Sequence, residues 1–448
     1  MAGIISVAEK PLGVSQWPDI GGTLVSDAAV THAQPTRKLK TADFFWMNLF
    51  WFANNVHWVS LMSIIIPSQV AKFLGNKEQN LPMVFVWGTL IAVLVHPYAG
   101  ALSDRIRSRM GRRRPFLLAG TVINVLGLIY MATTDTLLSM SVAFIIVQLA
   151  NNFANAPFVA IIADKVPKEQ RGIASGWFGL MTVLGSIIGA AVAGLLVDKT
   201  ATVEVYKVQM LTVYGLLAIV QLVAVLLTWW KVQEEPAPGG PPITWAEFKG
   251  LFWVDHKKYP DFSWVYITRF LMQQGQWAIF FYLQYFFEDV MNLPGEATTF
   301  QFNAVCMVSA TLAVLYAGHL SDRIGRKVIV YLAGGLMTAV AALFIFFPIP
   351  QMVLVTGALF GLGYGAFSSV DQALATDVLP NKDDYGKDMG IWQVASILPQ
   401  ITGIVIGGLT LSVLRTLPNH MGYSILLGFT MVFFFLGTYF VRKVKGVR

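Results

Sequence analysis

The heptapeptide Gly100-Ala101-Leu102-Ser103-Asp104-Arg105-Ile106 returns 218 residues later as Gly318-His319-Leu320-Ser321-Asp322-Arg323-Ile324. The same offset places Gly172-Ile173 on Gly390-Ile391, Gly185 on Gly403 and Gly189 on Gly407. Ala163-Asp164 and Pro167 meet Thr376-Asp377 and Pro380 at an offset of 213. One match arises easily by chance, whereas an ordered series is the mark of a duplicated unit. Each copy of the heptapeptide closes a long apolar run, so the duplicated unit is a set of apolar segments.

Working outward, the whole chain is apolar. It has 448 residues, 55% of them hydrophobic and 13% charged, against roughly 25% charged in soluble domains. Mean hydropathy is +0.60. These values exclude a soluble enzyme, a nucleic-acid-binding domain and a disordered scaffold. A membrane-crossing helix needs about 20 mostly apolar residues. Twelve such spans are expected, near 43–67, 82–103, 115–134, 137–163, 173–197, 208–230, 262–287, 298–320, 328–348, 350–376, 389–413 and 420–441. The fold class is therefore an all-α membrane protein with twelve transmembrane helices in two pseudo-symmetric six-helix bundles. The expected organisation is a tail (1–41), a first bundle (42–230), a linker (231–261), a second bundle (262–441) and a short tail (442–448). The first 36 residues lack a basic region followed by an apolar core, so they read as a polar tail rather than a signal peptide. Within the linker, a Glu/Pro/Gly-rich stretch precedes Trp245 and Phe248, which suggest a short amphipathic helix at a membrane surface.

The net charge of +7 reflects topology rather than nucleic-acid binding. With the N-terminus placed inside, 26 of the 32 Lys and Arg fall in the tails and inner loops. Five lie in outer loops and Arg269 lies within a span. This asymmetry puts both termini in the cytoplasm, with the chain in a plasma or bacterial inner membrane. Cys306 is the single cysteine, and the six histidines are scattered, so no metal site and no cofactor are expected. Nothing calls for an obligatory oligomer, and a monomer in the lipid bilayer is the expectation.

Residues 100–116, with Gly100, Ser103, Asp104, Arg105, Arg109, Gly111, the Arg112-Arg113-Arg114 run, Pro115 and Phe116, resemble the signature loop of the major facilitator superfamily. The form of the loop is closest to sucrose/proton symporters and the wider glycoside–cation symporters. Ala150-Asn151-Asn152 followed by Pro157, and Trp58 nine residues before Pro67, are similar to that branch too. One position departs: Gln148 stands where sucrose symporters carry an acidic residue. The resemblance implies twelve helices, a solute site between the halves near mid-membrane, and a central cavity lined by spans 1, 4, 7 and 10. It also implies that Asp104, Arg105 and Arg109, with Asp322 and Arg323 as their second-half counterparts, hold one side of the protein shut. Arg112–Arg114 read mainly as topology determinants.

Independently of that resemblance, four spans carry polar stripes at helical spacing. These are Trp51, Asn54, Asn55 and Trp58 in the first; Gln148, Asn151, Asn152 and Asn155 in the fourth; Arg269, Gln273, Gln276, Trp277 and Gln284 in the seventh; and Tyr364, Ser368, Asp371 and Gln372 in the tenth. Polar groups in a bilayer are costly unless paired or wetted, so the stripes suggest a shared aqueous cavity. Amides match sugar hydroxyls and indole faces cover a pyranose. His57 reads as a packing residue, and Trp46 and Trp87 as interfacial or lipid-facing. The glycine pairs 185/189 and 403/407 allow close helix approach.

Arg269 and Asp371 lie roughly 10 Å deep by helical rise. Both sit in spans bordering the expected cavity, and a carboxylate there can take up and release a proton as its surroundings change. The sequence therefore points to proton-coupled uptake of a sugar, with a proton-driven exporter of an amphipathic compound and an uncoupled sugar facilitator as rivals. A membrane enzyme lacks His-Glu-x-x-His, Gly-x-Ser-x-Gly or a clustered His/Cys site, and a channel lacks a filter loop or a ring of like charges.

Overall fold

The computed structural model describes residues 38–106, 108–167, 170–235, 257, 259–378 and 385–445. The side chains at 162–163, 171–172, 175, 319, 322, 372, 376, 385–391 and 393 lie outside that description. So do the N-terminal tail before Lys38 and the linker segment carrying Trp245 and Phe248.

The described residues form helices joined by short connections. The first half comprises α1 (Thr41–Ser60), a π-helical turn (Leu61–Ile65), α2 (Ile66–Phe73), α3 (Lys77–Arg105), α4 (Arg114–Ala132), α5 (Leu137–Lys165), α6 (Arg171–Leu196) and α7 (Val203–Lys231). The second comprises α8 (Pro260–Phe280), α9 (Leu283–Asp289), α10 (Gly295–Ile324), α11 (Arg326–Phe346), α12 (Met352–Asp377), α13 (Tyr385–Val413) and α14 (Met421–Phe440). Among the described residues, 11 helices are long and apolar enough to cross a membrane, the first running unbroken from Thr41 to Phe73. The remaining crossing is Pro260–Asp289, made of α8 and α9.

Two spans differ from the sequence reading. The first runs to Phe73 because its proline is absorbed. Pro67 has no N–H to offer, and the chain widens just before it, the Ile66 N–H reaching back to the Leu61 carbonyl. The seventh is broken at Phe281–Tyr282, where Tyr282 has φ −110° and ψ 1°. The run Phe280-Phe281-Tyr282 has poor helix propensity. The break is fixed by tertiary bonds, the Tyr282 hydroxyl donating to the Ile404 carbonyl (2.7 Å) and the Tyr285 hydroxyl to the Pro67 carbonyl (2.7 Å).

Helix pairing reproduces the duplication. In the first half α1 packs on α6 and α7, α3 and α4 on α5, and α4 on α7. In the second half α8 packs on α13 and α14, α10 and α11 on α12, and α11 on α14. The halves meet through α3 with α13 and α6 with α10, a pairing that a twofold exchange of halves leaves unchanged. The repeated glycines are points of close helix approach. A Cβ on Gly185 would lie 2.5 Å from the Phe52 carbonyl oxygen, and one on Gly403 would lie 2.9 Å from the Ala278 nitrogen. Gly361 and Gly365 press α12 onto α10 at Cys306 and Ala310 in the same way.

The apolar core is asymmetric about the membrane plane. Towards the face opposite the termini, one buried cluster spans both halves and includes Leu61, Ile64, Ile65, Phe85, Phe281, Tyr285, Phe286 and Ile404. Towards the face bearing the termini, each half keeps its own cluster: Phe44, Phe50 and Phe158 in the first, Phe262, Val265 and Phe367 in the second.

Candidate solute site and gates

The face opposite the termini is sealed by polar bonds between the halves as well as by the shared core. Lys77 pairs with Asp289 at 2.7 Å, and both Lys77 and Lys199 reach Glu288. Ser68 Oγ donates to Glu296 Oε1 (2.9 Å), Arg415 to Asn76 Oδ1 (2.7 Å) and Gln79 Nε2 to Ser412 Oγ (3.0 Å). On the terminal face the described ion pairs stay within one half. Arg113 bonds Asp104 and Ser103, and Arg113 (3.3 Å) and Arg112 (2.7 Å) both hold Asp164 at the end of α5. Arg326 and Asp377 form the same pair in the second half, so the Asp164/Asp377 repeat keeps an ion pair in both copies. Among the described residues the two terminal-face cores are thus separate, each within its own half.

Asp104 is thus bound to Arg113 and, more distantly, to Arg112 at 3.8 Å, residues of its own half. Arg112–Arg114 are therefore more than topology determinants. Glu234, just past α7, accepts the backbone N–H groups of Arg113 (2.9 Å) and Arg114 (3.1 Å) and packs against Gly111, whose φ of +92° favours glycine. Arg105 is half-buried, Arg109 and Arg323 are exposed, and the Asp322 side chain lies outside the described residues. Sequence reasoning missed Arg113, Asp164 and Glu234 as one cluster. The repeated Asp164 was its only visible trace.

The intramembrane charges meet. The Arg269 guanidinium on α8 bonds Asp371 of α12, donates through Nε to Ser396 Oγ on α13 (2.6 Å) and lies 3.4 Å above the Trp392 ring. Asp371 is 3% exposed and Arg269 8%, so the charges are shielded and mutually neutralised. Tyr364, one turn from Ser368, also interacts with Gln276. This joins the seventh and tenth stripes beside the ion pair. Gln273, Gln276 and Trp277 are half-buried. Trp277 stacks on Phe281 at 5.3 Å, and its buried indole N–H has no partner among the described residues. The Gln372 side chain lies outside the description.

The first and fourth stripes split. Asn155 donates to Asn54 Oδ1 at 3.4 Å, joining those two spans, and Asn151 is buried on the same face. Asn55 and Trp58 are half-buried, with Asn55 returning a bond to the Trp51 carbonyl (2.8 Å). Trp51 is wedged between Phe158 and Phe178 and donates to Thr182 Oγ1 (2.7 Å), which ties its indole to packing. Gln148 and Asn152 turn instead towards α3. Asn152 donates to the Gln148 carbonyl and to its Oε1 (2.8 and 3.0 Å), Gln148 Nε2 to Thr89 Oγ1 (3.5 Å), and Asn152 Oδ1 faces His96 Nδ1 (3.2 Å). Gln284 also leaves its stripe. Beyond the helix break, it reaches Glu296 (3.3 Å) in the sealed face. Helical spacing fixes relative angle along a helix, and it cannot show which neighbouring helix a wide polar face will meet.

Comparison with known proteins places this architecture. The model of the Major Facilitator Superfamily matches residues 49–315 and 303–447. A general alpha-glucoside permease of Schizosaccharomyces pombe is 28% identical over 132 residues, covering 26% of this chain and 24% of the relative. Sucrose transport protein SUC4 of Arabidopsis thaliana is 28% identical over 152 residues, covering 30% of this chain and 29% of the relative. Sucrose transport protein SUT2 of Oryza sativa subsp. indica is 31% identical over 157 residues, covering 30% and 31%. The matched stretch is thus about a quarter to a third of each relative's length. In fold the chain is similar to the nucleoside transporter NupG, with a TM-score of 0.71, 15% identity and coverage of 89% of this chain and 99% of that one. It is likewise similar to a bacterial homolog of the human lysosomal transporter Spinster in an inward-facing, unoccupied conformation, with a TM-score of 0.68, 13% identity and coverage of 90% and 98%. With a family model matching nearly all of the membrane region, the chain belongs to the major facilitator superfamily, a family of transporters rather than enzymes.

Proposed function

We propose that this transporter carries a sugar, a disaccharide or glycoside, together with a proton, by alternating access. The observation carrying the reading is the buried Arg269–Asp371 pair between α8 and α12, beside the Gln276 amide and the Trp392 indole. Asp371 takes up the proton when the pair separates, and Arg269 holds it ionised when the pair re-forms. The solute binds among Asn54, Asn55, Trp58, Asn151, Asn155, Gln273, Gln276, Trp277 and Tyr364. Trp51, Asn152 and Gln372 complete the candidate set, Trp51 and Asn152 acting from behind through the residues they orient. The sugar relatives support the solute class. The surplus of Lys and Arg in the tails and neighbouring loops supports a cytoplasmic terminal face in a plasma or inner membrane. The form seen is then inward-open, its outer side closed by the Lys77/Lys199–Glu288/Asp289 latch. Asp104, Arg105, Arg109, Asp322 and Arg323 are assigned to the inner gate that closes in the opposite form, and the protein acts as a monomer.

The test uses proteoliposomes. Maltose or sucrose should accumulate under an inward-directed proton gradient, and Asp371→Asn should abolish accumulation while retaining solute counterflow. Unchanged pH-driven accumulation in Asp371→Asn removes Asp371 from coupling. Thermal-shift screening of the purified protein against both sugars tests the solute class separately, because a ligand that binds only the folded state raises Tm.

A further inference from the structure

Asp43-Phe44-Phe45-Trp46 in the first turns of α1 returns at the 218-residue offset as Asp261-Phe262-Ser263-Trp264 in the first turns of α8. In each half that tryptophan meets the end of the last helix. The Trp46 carbonyl accepts from Thr228 Oγ1 of α7 (3.2 Å), and Trp264 stacks on Phe440 of α14 at 5.4 Å. A lysine just beyond then lies over the ring. Lys231 Nζ is 5.6 Å from the Trp46 ring centre and 4.1 Å from that of Trp230. Lys443 Nζ, in the 3-10 turn Val441–Lys443 after α14, is 4.6 Å from that of Trp264. On the opposite face Lys72, Lys77 and Lys207 also lie over rings, but each has an oxygen in reach. Lys72 donates to the Lys199 and Ala201 carbonyls (2.8 and 2.6 Å), Lys77 pairs with Asp289 (2.7 Å) and Lys207 with Asp135 (3.5 Å). Lys231 and Lys443 are exposed and have no such acceptor among the described residues. The two repeated carboxylates are engaged with backbone, Asp43 accepting the Lys40 N–H (2.8 Å) and Asp261 the Lys445 N–H (2.9 Å).

We propose that these are two anionic-phospholipid sites, one per half, in the leaflet on the terminal face, where a lysine ammonium seated on an indole binds the lipid phosphate. An ammonium has three N–H donors; the ring face supports the charge from one side and leaves donors for an acceptor on the other. Tryptophan and lysine together at a helix end mark the depth of the headgroups. The helix surface beneath each lysine points to a lipid rather than a free phosphate. On α7, Ile219, Val223, Leu226 and Trp230 are exposed and recur at i, i+4, i+7 and i+11, one strip that ends beside Lys231. On α14, Val432, Phe435 and Tyr439 are exposed at i, i+3 and i+7, a strip that continues to Lys443. Such a strip receives the acyl chains of any lipid, and the lysine at its end selects a negative headgroup. Arg442, seated on the Tyr439 ring at 3.5 Å and bonded to its hydroxyl, adds a second cation to the second site. In the first half the exposed Lys38 and Lys40 precede α1, and the exposed Glu235 follows α7. The second site, with more positive charge at the end of its strip, binds the tighter of the two lipids.

The test does not depend on what is transported. Native mass spectrometry of the full chain, delipidated in detergent and titrated with phosphatidylglycerol, should show two lipids bound ahead of the rest. Lys231→Gln and Lys443→Gln should each weaken one of them by about fivefold or more, and the double variant should retain neither. Lys231→Arg and Lys443→Arg keep the charge and the contact with the ring and should retain both. Trp46→Leu and Trp264→Leu keep apolar bulk without the ring face and should weaken one site each by a few-fold. Lys207→Gln, which removes a ring-seated lysine from the opposite face, should change nothing. Phosphatidylcholine with the same acyl chains should not fill the two sites, and glycerol 3-phosphate should not displace the bound lipid. The two lysines are exposed, so the delipidated glutamine variants should keep the wild-type Tm, which separates lost binding from misfolding. Two tightly held phosphatidylglycerols in the double glutamine variant, or equal retention of phosphatidylcholine, overturns the proposal. Displacement by glycerol 3-phosphate overturns it too, by making the lysines a site for free phosphate.

Discussion

Replacing Arg269 with methionine isolates the energetics of the central pair. The guanidinium bonds Asp371 and Ser396 and covers the Trp392 ring, in a site where Asp371 is 3% exposed. Removing it orphans a buried carboxylate, an uncompensated charge that costs about 3–5 kcal/mol. Loss of the contact over Trp392 adds about 1–2 kcal/mol. In Arg269→Met/Asp371→Leu the orphan charge is gone and mainly the second cost remains. The single variant should therefore be less stable than the double by roughly 3 kcal/mol. Equilibrium unfolding in mixed detergent micelles, followed by far-ultraviolet circular dichroism, measures the difference. The single variant's deficit should also shrink as pH falls, because protonating Asp371 removes the orphan charge, whereas the double variant's should not. Equal stability of the two variants at pH 7, or a deficit independent of pH, would refute the view that Arg269 neutralises a buried Asp371 charge.

Further expectations follow from the packing and the gates. Glu288→Gln removes the negative charge shared by Lys77 and Lys199. At about 0.2–1 kcal/mol per partly exposed pair, it should raise maleimide labelling of a cysteine placed at Ser68 by a few-fold in a Cys306→Ala background. Gly189→Val, where the added side chain meets the Val56 backbone, should lower Tm markedly, whereas Gly215→Val, with nothing within 4 Å, should leave it nearly unchanged by differential scanning fluorimetry. Asp164→Asn removes the carboxylate charge shared by Arg112 and Arg113, leaving Arg113 its bonds to Asp104, Ser103 and the Gly100 carbonyl. It should slow sugar counterflow more than it lowers Tm, whereas equal effects on both would make the cluster purely a packing device. Glu234→Ala exposes the first N–H groups of α4 and should destabilise by about 1 kcal/mol, read as a shift in the unfolding midpoint.

Sequence carried most of the architecture because apolar length and the Gly-x-x-Ser-Asp-Arg repeat are local properties. The Arg269–Asp371 meeting was legible for the same reason: two rare charges at similar depth in a costly medium have few places to go. The break at Phe281–Tyr282 was not, since it depends on hydroxyl bonds to Ile404 and Pro67, more than a hundred residues away in each direction. Gln148 and Asn152 have the spacing of a cavity stripe but bond towards α3, because Thr89 and His96 happen to face them. Glu234 looked like the start of a polar linker. Its role depends on the position of two backbone N–H groups whose side chains gave no sign of it.

The shared aromatic and aliphatic seam on one face, against two separate cores on the other, has a thermal consequence. Parting that seam wets rings such as Phe85, Phe281 and Phe286, and apolar hydration carries a large positive heat capacity. The balance between the two faces is therefore temperature-dependent. Cooling weakens the seam more than it weakens the lysine–carboxylate latch, so chilled protein should favour the form in which the seam is parted, and warming should drive it shut.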